Sequence, residues 1–357
     1  MKYNLIKPLL FSLEPEKAHN LAIFALANNL VCHPQIKDYS SLKNEIFGIN
    51  FSNPIGLAAG FDKNAKVFDK LFNFGFGFVE CGTVTPKPQS GNPHPRLFRL
   101  PEDQAIINRL GFNNGGIEKF LQNVSSKKIQ NENILGINIG KNKDTENALD
   151  DYLILLEKVY VLSNYITINI SSPNTKNLRD LQKADNLDEF LAAIMRKKSE
   201  LVQTKNRSIP ILLKIAPDLD NKEQESIAEI SLKNKIDGLI ISNTTINGKE
   251  KLHSIYKNQT GGLSGKPLFT ASNAVLKNIY KLTKGEIPII GVGGVSSAVE
   301  AYEKIKYGAS LIQIYSAFIY QGFELVEKIK QDLDDLLRRD GFANIKQAIG
   351  QAVEKNN

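Results

Sequence analysis

Eight short apolar segments, rich in β-branched residues and each closing on small or polar side chains, constrain this chain more than any other feature. They span residues 55–59, 77–84, 134–140, 165–171, 210–216, 238–244, 288–294 and 311–317. Near-continuous apolar runs of this length suit strands buried on both faces, as in a parallel sheet. Helix-like stretches lie between most of them, roughly 64–73, 144–162, 186–204, 221–234, 270–283 and 296–307, and another follows at 323–339. Eight strand–helix alternations predict an α/β chain folded as a (β/α)8 barrel, a TIM barrel. The 357 residues could make two average domains, but such barrels use over ~250 residues as one.

Two connections are too long for simple crossovers, 85–133 and 245–287. Both leave the C-terminal end of a strand, where a barrel keeps its active site, and long excursions there are usually functional. Residues 1–40 precede the barrel. Leu5, Ile6, Leu9, Leu10 and Leu13, then Ala18, Leu21, Ala22, Phe24, Ala25 and Leu26, predict two short helices broken near Glu14-Pro15. Their wide apolar faces suit either a cap on the barrel floor or an interfacial membrane anchor with an apolar mouth. The domain plan is a helical preface over 1–40, a barrel over 41–350 and a polar tail over 351–357.

Composition narrows the class. At 42% hydrophobic and 23% charged the chain is an ordinary folded protein. A formal charge of +7 suits an anionic partner without choosing among a phosphate-bearing cofactor, a membrane surface and nucleic acid. Two cysteines, Cys32 and Cys81, exclude a disulfide framework and a cysteine-rich metal or iron–sulfur site within the chain. No run of ~18 apolar residues predicts a spanning helix, and Glu14-Pro15-Glu16 interrupts any signal-peptide core.

The polar residues collect at the predicted strand ends. Asn138, Asn169, Lys214 and Asn243 sit inside or at the edge of apolar strands, where an unpaired amide or ammonium is costly. One such asparagine is ordinarily structural; four such groups at matching depth point to a flat polar ligand. Gly291-Val292-Gly293-Gly294 follows the seventh strand, where barrels often bind phosphate. Tyr315-Ser316 and the glycine-rich run 261–265 could complete that cradle. The four histidines, His19, His33, His94 and His253, end no strand, so a serine–histidine triad is not expected. No clustered ligands predict a metal, and no Gly-x-Gly-x-x-Gly predicts a Rossmann domain. A phosphate, a flat polar ligand, a lysine and a hydroxyl together describe a flavin mononucleotide (FMN) site with room for a small substrate above the ring.

These motifs are similar to those of the dihydroorotate dehydrogenases, specifically the membrane-associated, quinone-reducing class. Segments 56–63, 80–86, 98–114, 136–145, 169–179, 261–267 and 291–294 carry the likeness. The resemblance implies that dihydroorotate is oxidised to orotate in de novo pyrimidine synthesis, with FMN as hydride acceptor and a membrane quinone as final acceptor. Ala59, Gly60, Lys63, Thr83, Asn138, Asn169, Lys214, Ser242, Gly265, Gly294, Tyr315 and Ser316 would hold FMN. Lys63, Asn108, Arg109, Leu110, Gly111, Phe112, Asn169, Asn174, Asn243 and Thr244 would hold dihydroorotate. Ser172 would be the catalytic base, where soluble fumarate- or NAD-linked classes place a cysteine. His19, Arg99 and Tyr315 would line a quinone tunnel. The resemblance further implies a monomer, peripheral on the cytoplasmic side of an inner membrane. A soluble class is disfavoured by Ser172 and by residues 1–40. A tRNA dihydrouridine synthase, which the positive charge would suit, is disfavoured by the missing cysteine acid and by the absence of an RNA-binding appendage, so no nucleic-acid partner is expected.

Overall fold

A computed structural model describes residues 3–127, 130 and 132–353 of the chain; residues 354–357 of the expected polar tail lie outside the described residues. Eight parallel strands close into a barrel: β1 (Ile55–Leu57), β2 (Phe78–Val84), β3 (Ile134–Ile139), β4 (Tyr165–Asn169), β5 (Ile211–Ile215), β6 (Gly238–Ile241), β7 (Ile289–Val292) and β8 (Ala309–Ile314). Each pairs with its neighbours in sequence, and β8 closes on β1. Every residue of β2 to β6 is buried, as expected for strands covered on both faces. Helices on the outside return the chain, including Ala148–Val159, Ala184–Lys205, Asn221–Lys233 and Ala298–Lys306. Three of them start on side-chain caps: Asn147 accepts from Leu149 N, Asp220 and Glu223 form a capping box, and Ser297 accepts from Glu300 N.

Strand alternation divides the barrel in two. Outward residues such as Val79, Leu135, Ile166 and Leu213 pack under the helices. Inward residues form a separate apolar floor of Phe78, Ile134, Tyr165, Leu212, Ile240, Ile290 and Leu311. The floor needs space. A Cβ on Gly136 would lie 2.1 Å from the Tyr165 ring, so any side chain there displaces the tyrosine. A hairpin, Asn44–Ile46 with Ile49–Phe51, seals the floor by inserting Phe51 and packing Ile46, Phe47 and Ile49 against it.

The N-terminal helices are therefore not the floor cap. Helix α1 (Tyr3–Ser12) and helix α2 (Pro15–Ala27) lie at the opposite end, over the C-terminal mouth, where both line the central cavity. Glu14 caps α2 and Pro15 opens it, which accounts for the break between them. The two long excursions meet there in one antiparallel sheet, Leu97–Leu100, Ala105–Asn108 and Gly262–Gly265. The first excursion also carries a helix that the sequence pattern did not reveal, Gly116–Ser125, with Ile117, Phe120 and Val124 buried on one face.

The helices are tied to that sheet by charge. Glu16 of α2 takes a two-point contact from Arg96, at 2.9 and 3.0 Å, geometry that favours a strong pair. Arg99 donates to the carbonyls of Leu10, Phe11 and Leu13 at the C-terminal end of α1. Those carbonyls have no partner within the helix, so a cation there satisfies them.

Candidate functional site

Inward residues alternate along each strand, and the strands climb from the apolar floor to a polar well in steps of two. Above Phe78, Tyr165, Leu212 and Leu311 come Glu80, Thr167, Lys214 and Gln313, all buried. Asn138 stands opposite Thr167, and Asn169 one step of two farther toward the mouth. Glu80 Oε1 accepts from Asn138 Nδ2 at 2.8 Å, and Glu80 Oε2 accepts from Gln313 Nε2 at 2.8 Å, Tyr165 OH at 3.0 Å and Thr167 Oγ1 at 3.1 Å. Asn138 Oδ1 accepts from Thr83 Oγ1 at 2.5 Å and from Asn169 Nδ2 at 3.2 Å. Asn169 Oδ1 then accepts from Ser171 N and Oγ, and from Asn243 Nδ2 at 3.4 Å. The Asn138 and Asn169 amides are thus paired at both the nitrogen and the oxygen, as burial demands.

The rim comes from loops. Ser172 is buried, and its Oγ accepts from Asn174 N at 3.3 Å. Asn174 Nδ2 donates across to Asn108 O at 3.1 Å, linking the loop after β4 to the mouth sheet. Lys63 and Lys214 bring positive charge to one cavity. Burial pushes the Lys63 ammonium down to about 8, with Glu16 opposing and Arg96 assisting the shift. Burial also lowers Lys214, opposed by the Glu80 carboxylate. Both lysines face the space where a planar anion would gain most from a desolvated cation.

At the β7–β8 end, Gly293 and Gly294 have φ of +112° and +77°. A Cβ on Gly294 would sit 2.5 to 2.6 Å from Phe269 atoms, so the turn admits only glycine and leaves its backbone open to a ligand. Ser264 and Ser316 hydroxyls meet at 2.9 Å beside it, and Gly265, Tyr315 and Ser316 line the same cavity. Behind the turn, Ser272 Oγ donates to Gly293 O at 3.1 Å, while the fully buried Lys304 donates to Ser272 Oγ and Asn273 Oδ1, each at 2.7 Å.

The cavity continues outward between α1 and α2. Pro15, Ala18, His19 and Ala22 line it, positions one helical face apart. His19 stands edge-on to Phe61 at 5.3 Å, and Phe61 to Tyr315 at 6.1 Å. Burial, with Lys63 nearby, drives His19 down to about 3, so its imidazole is neutral at physiological pH. Burial raises the Tyr315 phenol, which donates to Gly60 O at 3.2 Å.

Most of the predicted positions meet in this one cavity: Ala59, Gly60, Lys63, Thr83, Asn108, Leu110, Gly111, Phe112, Asn169, Ser172, Asn174, Lys214, Ser242, Asn243, Thr244, Gly265, Gly294, Tyr315 and Ser316, with His19 and Arg99 in its outer part. Two do not line it. Asn138 pairs in register with Thr167 rather than Asn169, so it lies two residues deeper along the strands and contacts the lining residues from behind. The expectation of matching depth is corrected accordingly. The Arg109 side chain turns away. It binds Gln259, Thr260 and Pro95 and stacks 4.8 Å above the Phe98 ring, fixing loops at the mouth rather than meeting a ligand. Glu80, Gln313 and Lys304 were not singled out as site residues by pattern. A charged or amide residue at an inward position of an apolar strand was the available signal for the first two.

Known proteins share this architecture. A family model described as dihydroorotate dehydrogenase matches residues 41–337. A Rhodospirillum rubrum protein named dihydroorotate dehydrogenase (quinone) is 49% identical over 349 residues, covering 98% of this chain and 94% of the relative. An Acinetobacter baumannii protein of the same name is 50% identical over 330 residues, 92% of this chain and 98% of its own. The crystal structure of an Eimeria tenella dihydroorotate dehydrogenase in complex with ferulenol superposes with a TM-score of 0.91 at 38% identity, covering 96% and 98% of the two chains.

Proposed function

The chain belongs to the dihydroorotate dehydrogenase family, and on that premise we propose a division of labour along its cavity. The protein oxidises dihydroorotate to orotate in pyrimidine biosynthesis and passes the electrons to a quinone. The family is flavin-dependent, and the flavin we assign is FMN. Three features support the fit. Gln313 Oε1 is buried with no partner among the described residues, Lys214 brings an ammonium to the cavity, and the Gly293-Gly294 turn has the open backbone a phosphate requires. When bound, FMN supplies the hydride acceptor and the route for electrons to quinone.

The chain's own residues then take these roles. Lys63 meets the substrate carboxylate. Asn108, Asn169, Asn174 and Asn243 read the ring's amide edges, since each amide offers both a donor and an acceptor. Ser172 takes the proton from the ring carbon next to the one that loses hydride. Serine is a weak base, and the Asn174 N–H directed at its Oγ helps stabilise negative charge building there. Lys214 stabilises charge at the base of the well. Thr83, Ala59, Gly60, Ser242, Gly265, Gly294, Tyr315 and Ser316 shape the flavin cradle, and Asn138 acts on it from behind.

One observation carries this reading. A single cavity runs from the groove between α1 and α2, past His19, to the amide cluster around Asn169 and Ser172. That gives an apolar quinone and a polar substrate separate approaches to one flavin. The outer helix faces expose Leu5, Leu9, Leu21 and Phe24, and no helix among the described residues is long and apolar enough to cross a membrane. These faces support peripheral docking, which we place on the cytoplasmic side of an inner membrane. The cavity is built within one chain, consistent with action as a monomer.

Anaerobic addition of dihydroorotate should bleach the flavin absorbance, and a quinone analogue, but not fumarate or NAD, should restore it. No bleaching would overturn the assignment. Ser172→Ala should keep flavin and bind orotate, yet bleach at least about 100-fold more slowly. Undiminished bleaching would remove Ser172 from proton transfer.

A further inference from the structure

Glu80 has no direct contact to make with substrate, yet it stands at one end of a hydrogen-bond chain that ends at the substrate-facing amides. Its side chain is fully buried inside the barrel. Both oxygens are occupied by donors: Asn138 on Oε1, and Tyr165, Thr167 and Gln313 on Oε2. As a carboxylate, Glu80 is the acceptor in all four of these bonds.

That chemistry fixes the direction of everything above it. Because Glu80 can only accept, Asn138 must turn its amide nitrogen down and its oxygen up. The oxygen then accepts from Thr83 and Asn169, so Asn169 must turn its nitrogen toward Asn138. Asn169 Oδ1 consequently faces the Ser171 N–H and the Asn243 amide nitrogen. Asn243 Oδ1 accepts from Thr244 N at 2.8 Å. Amide side chains can be flipped in isolation, but this chain is pinned at both ends. A carboxylate sits at one end, and backbone N–H groups of Ser171 and Thr244, which cannot flip, sit at the other.

We propose that Glu80 is a positioning residue whose carboxylate, acting with the Ser171 and Thr244 N–H groups at the other end, holds the orientation of the Asn138, Asn169 and Asn243 amides, and so the donor–acceptor pattern offered to the substrate ring. This role rests on the assignment of the cavity to dihydroorotate and flavin. Dihydroorotate and orotate present alternating N–H and C=O groups, so a reversed amide sets donor against donor. An unmatched buried polar group is costly, and complementarity of this kind accounts for large losses when it fails. Glu80 also partly offsets the burial of Lys214, so the same group serves the cation at the base of the well.

The test is a polarity swap. In Glu80→Gln, the new amide oxygen keeps Tyr165, Thr167 and Gln313 satisfied, while its NH2 faces the Asn138 NH2. Relief requires either that Asn138 and then Asn169 flip, which drives the Asn169 nitrogen against the Ser171 N–H, or that the new amide turns its NH2 to the Tyr165 and Thr167 hydroxyls and flips Gln313, which puts an NH2 where the free Gln313 Oε1 faced the flavin site. The flavin-loaded variant should bind orotate about tenfold more weakly or worse. Adding Asn138→Asp restores the direction, because the carboxylate it introduces accepts from the new amide below and from Thr83 and Asn169 above. The double variant should recover to within about threefold of wild type. Asn138→Asp alone opposes two carboxylates and should bind more weakly than the double variant, a comparison that holds even if Glu80→Gln fails to fold.

Orotate affinity is read by titrating the flavin absorbance. Wild-type affinity in Glu80→Gln, or a double variant no better than Asn138→Asp alone, overturns the proposal. A residue needed only for packing would show no such rescue. Wild-type protein that fails to bleach with dihydroorotate would instead overturn the functional reading, so the two failures are distinct.

Discussion

Raising the pH from 7 to 9 should weaken orotate binding about tenfold through Lys63 alone. Burial holds the Lys63 ammonium at about 8 rather than the ordinary 10.5, with Glu16 and Asp62 pulling it up and Arg96 pushing it down. The sign is set by which form binds. A carboxylate is held by the charged amine, so affinity is complete below about 8 and falls as the proton leaves. If only the ammonium form binds, the dissociation constant grows by a factor of about 1.1 at pH 7 and about 11 at pH 9, a tenfold ratio. The assay is equilibrium titration of the oxidised, flavin-loaded protein with orotate at half-unit pH steps. Lys63→Met removes the charge at every pH, so it should bind weakly throughout and without this slope. A wild-type profile flat from pH 7 to 9, or a slope that persists in Lys63→Met, would refute the placement of the carboxylate against Lys63.

The other perturbations concern the cradle and the helical preface. Lys304 is buried behind the Gly293-Gly294 turn and is held down to about 7 by burial, with Glu303 and Glu300 opposing. Its folded value is depressed, so the unfolded chain binds more protons between about 7 and 10.5, and stability should rise with pH across that window. The wild type should gain about 2 kcal/mol relative to Lys304→Met between pH 7 and 9 in denaturant titrations; equal slopes for the two proteins would contradict it. Arg99→Met frees the carbonyls of Leu10, Phe11 and Leu13. Charged hydrogen bonds are each worth about 1.5–3 kcal/mol when buried, but this guanidinium is only half-buried, so about 2 kcal/mol in total is expected. Limited proteolysis within residues 3–13 should therefore accelerate about 30-fold with the barrel's melting temperature unchanged; unchanged cleavage would show that the helices are held by other contacts.

How much of this was legible in the sequence depends on the range of the interaction. The barrel strands were readable because burial on both faces leaves an unbroken apolar run, and each observed strand lies within or within two residues of its predicted segment. The first excursion was readable as functional by length, but not as a sheet, because its strands pair with the second excursion about 150 residues away. The placement of α1 and α2 was ambiguous for a related reason. Apolar width says that a helix must be covered, whereas Arg96, Arg99 and Glu16 decide at which end of the barrel. The floor cap went to a hairpin whose alternating pattern over 44–51 is too short to stand out.

The candidate site shows the same limit at finer scale. Asn138 and Asn169 look equivalent in sequence, each an asparagine near the end of an apolar strand. Register separates them: Asn138 lies opposite Thr167, so Asn169 stands two residues farther toward the mouth. One amide then touches the cavity, and the other orients it. The stagger that closes a barrel forces this difference, since strands tilted around an axis cannot end level in sequence. It also explains why Glu80 escaped notice among motif residues. A carboxylate at an inward position has to be satisfied by side chains from neighbouring strands, here Asn138 from β3, Tyr165 and Thr167 from β4 and Gln313 from β8. None of those partners is local to it in the chain. A buried acceptor that gathers donors from three strands costs stability if any partner is removed. Its position beneath the amides gives that arrangement a use that packing alone does not supply, because an apolar residue there would leave the Asn138 amide nitrogen without its acceptor.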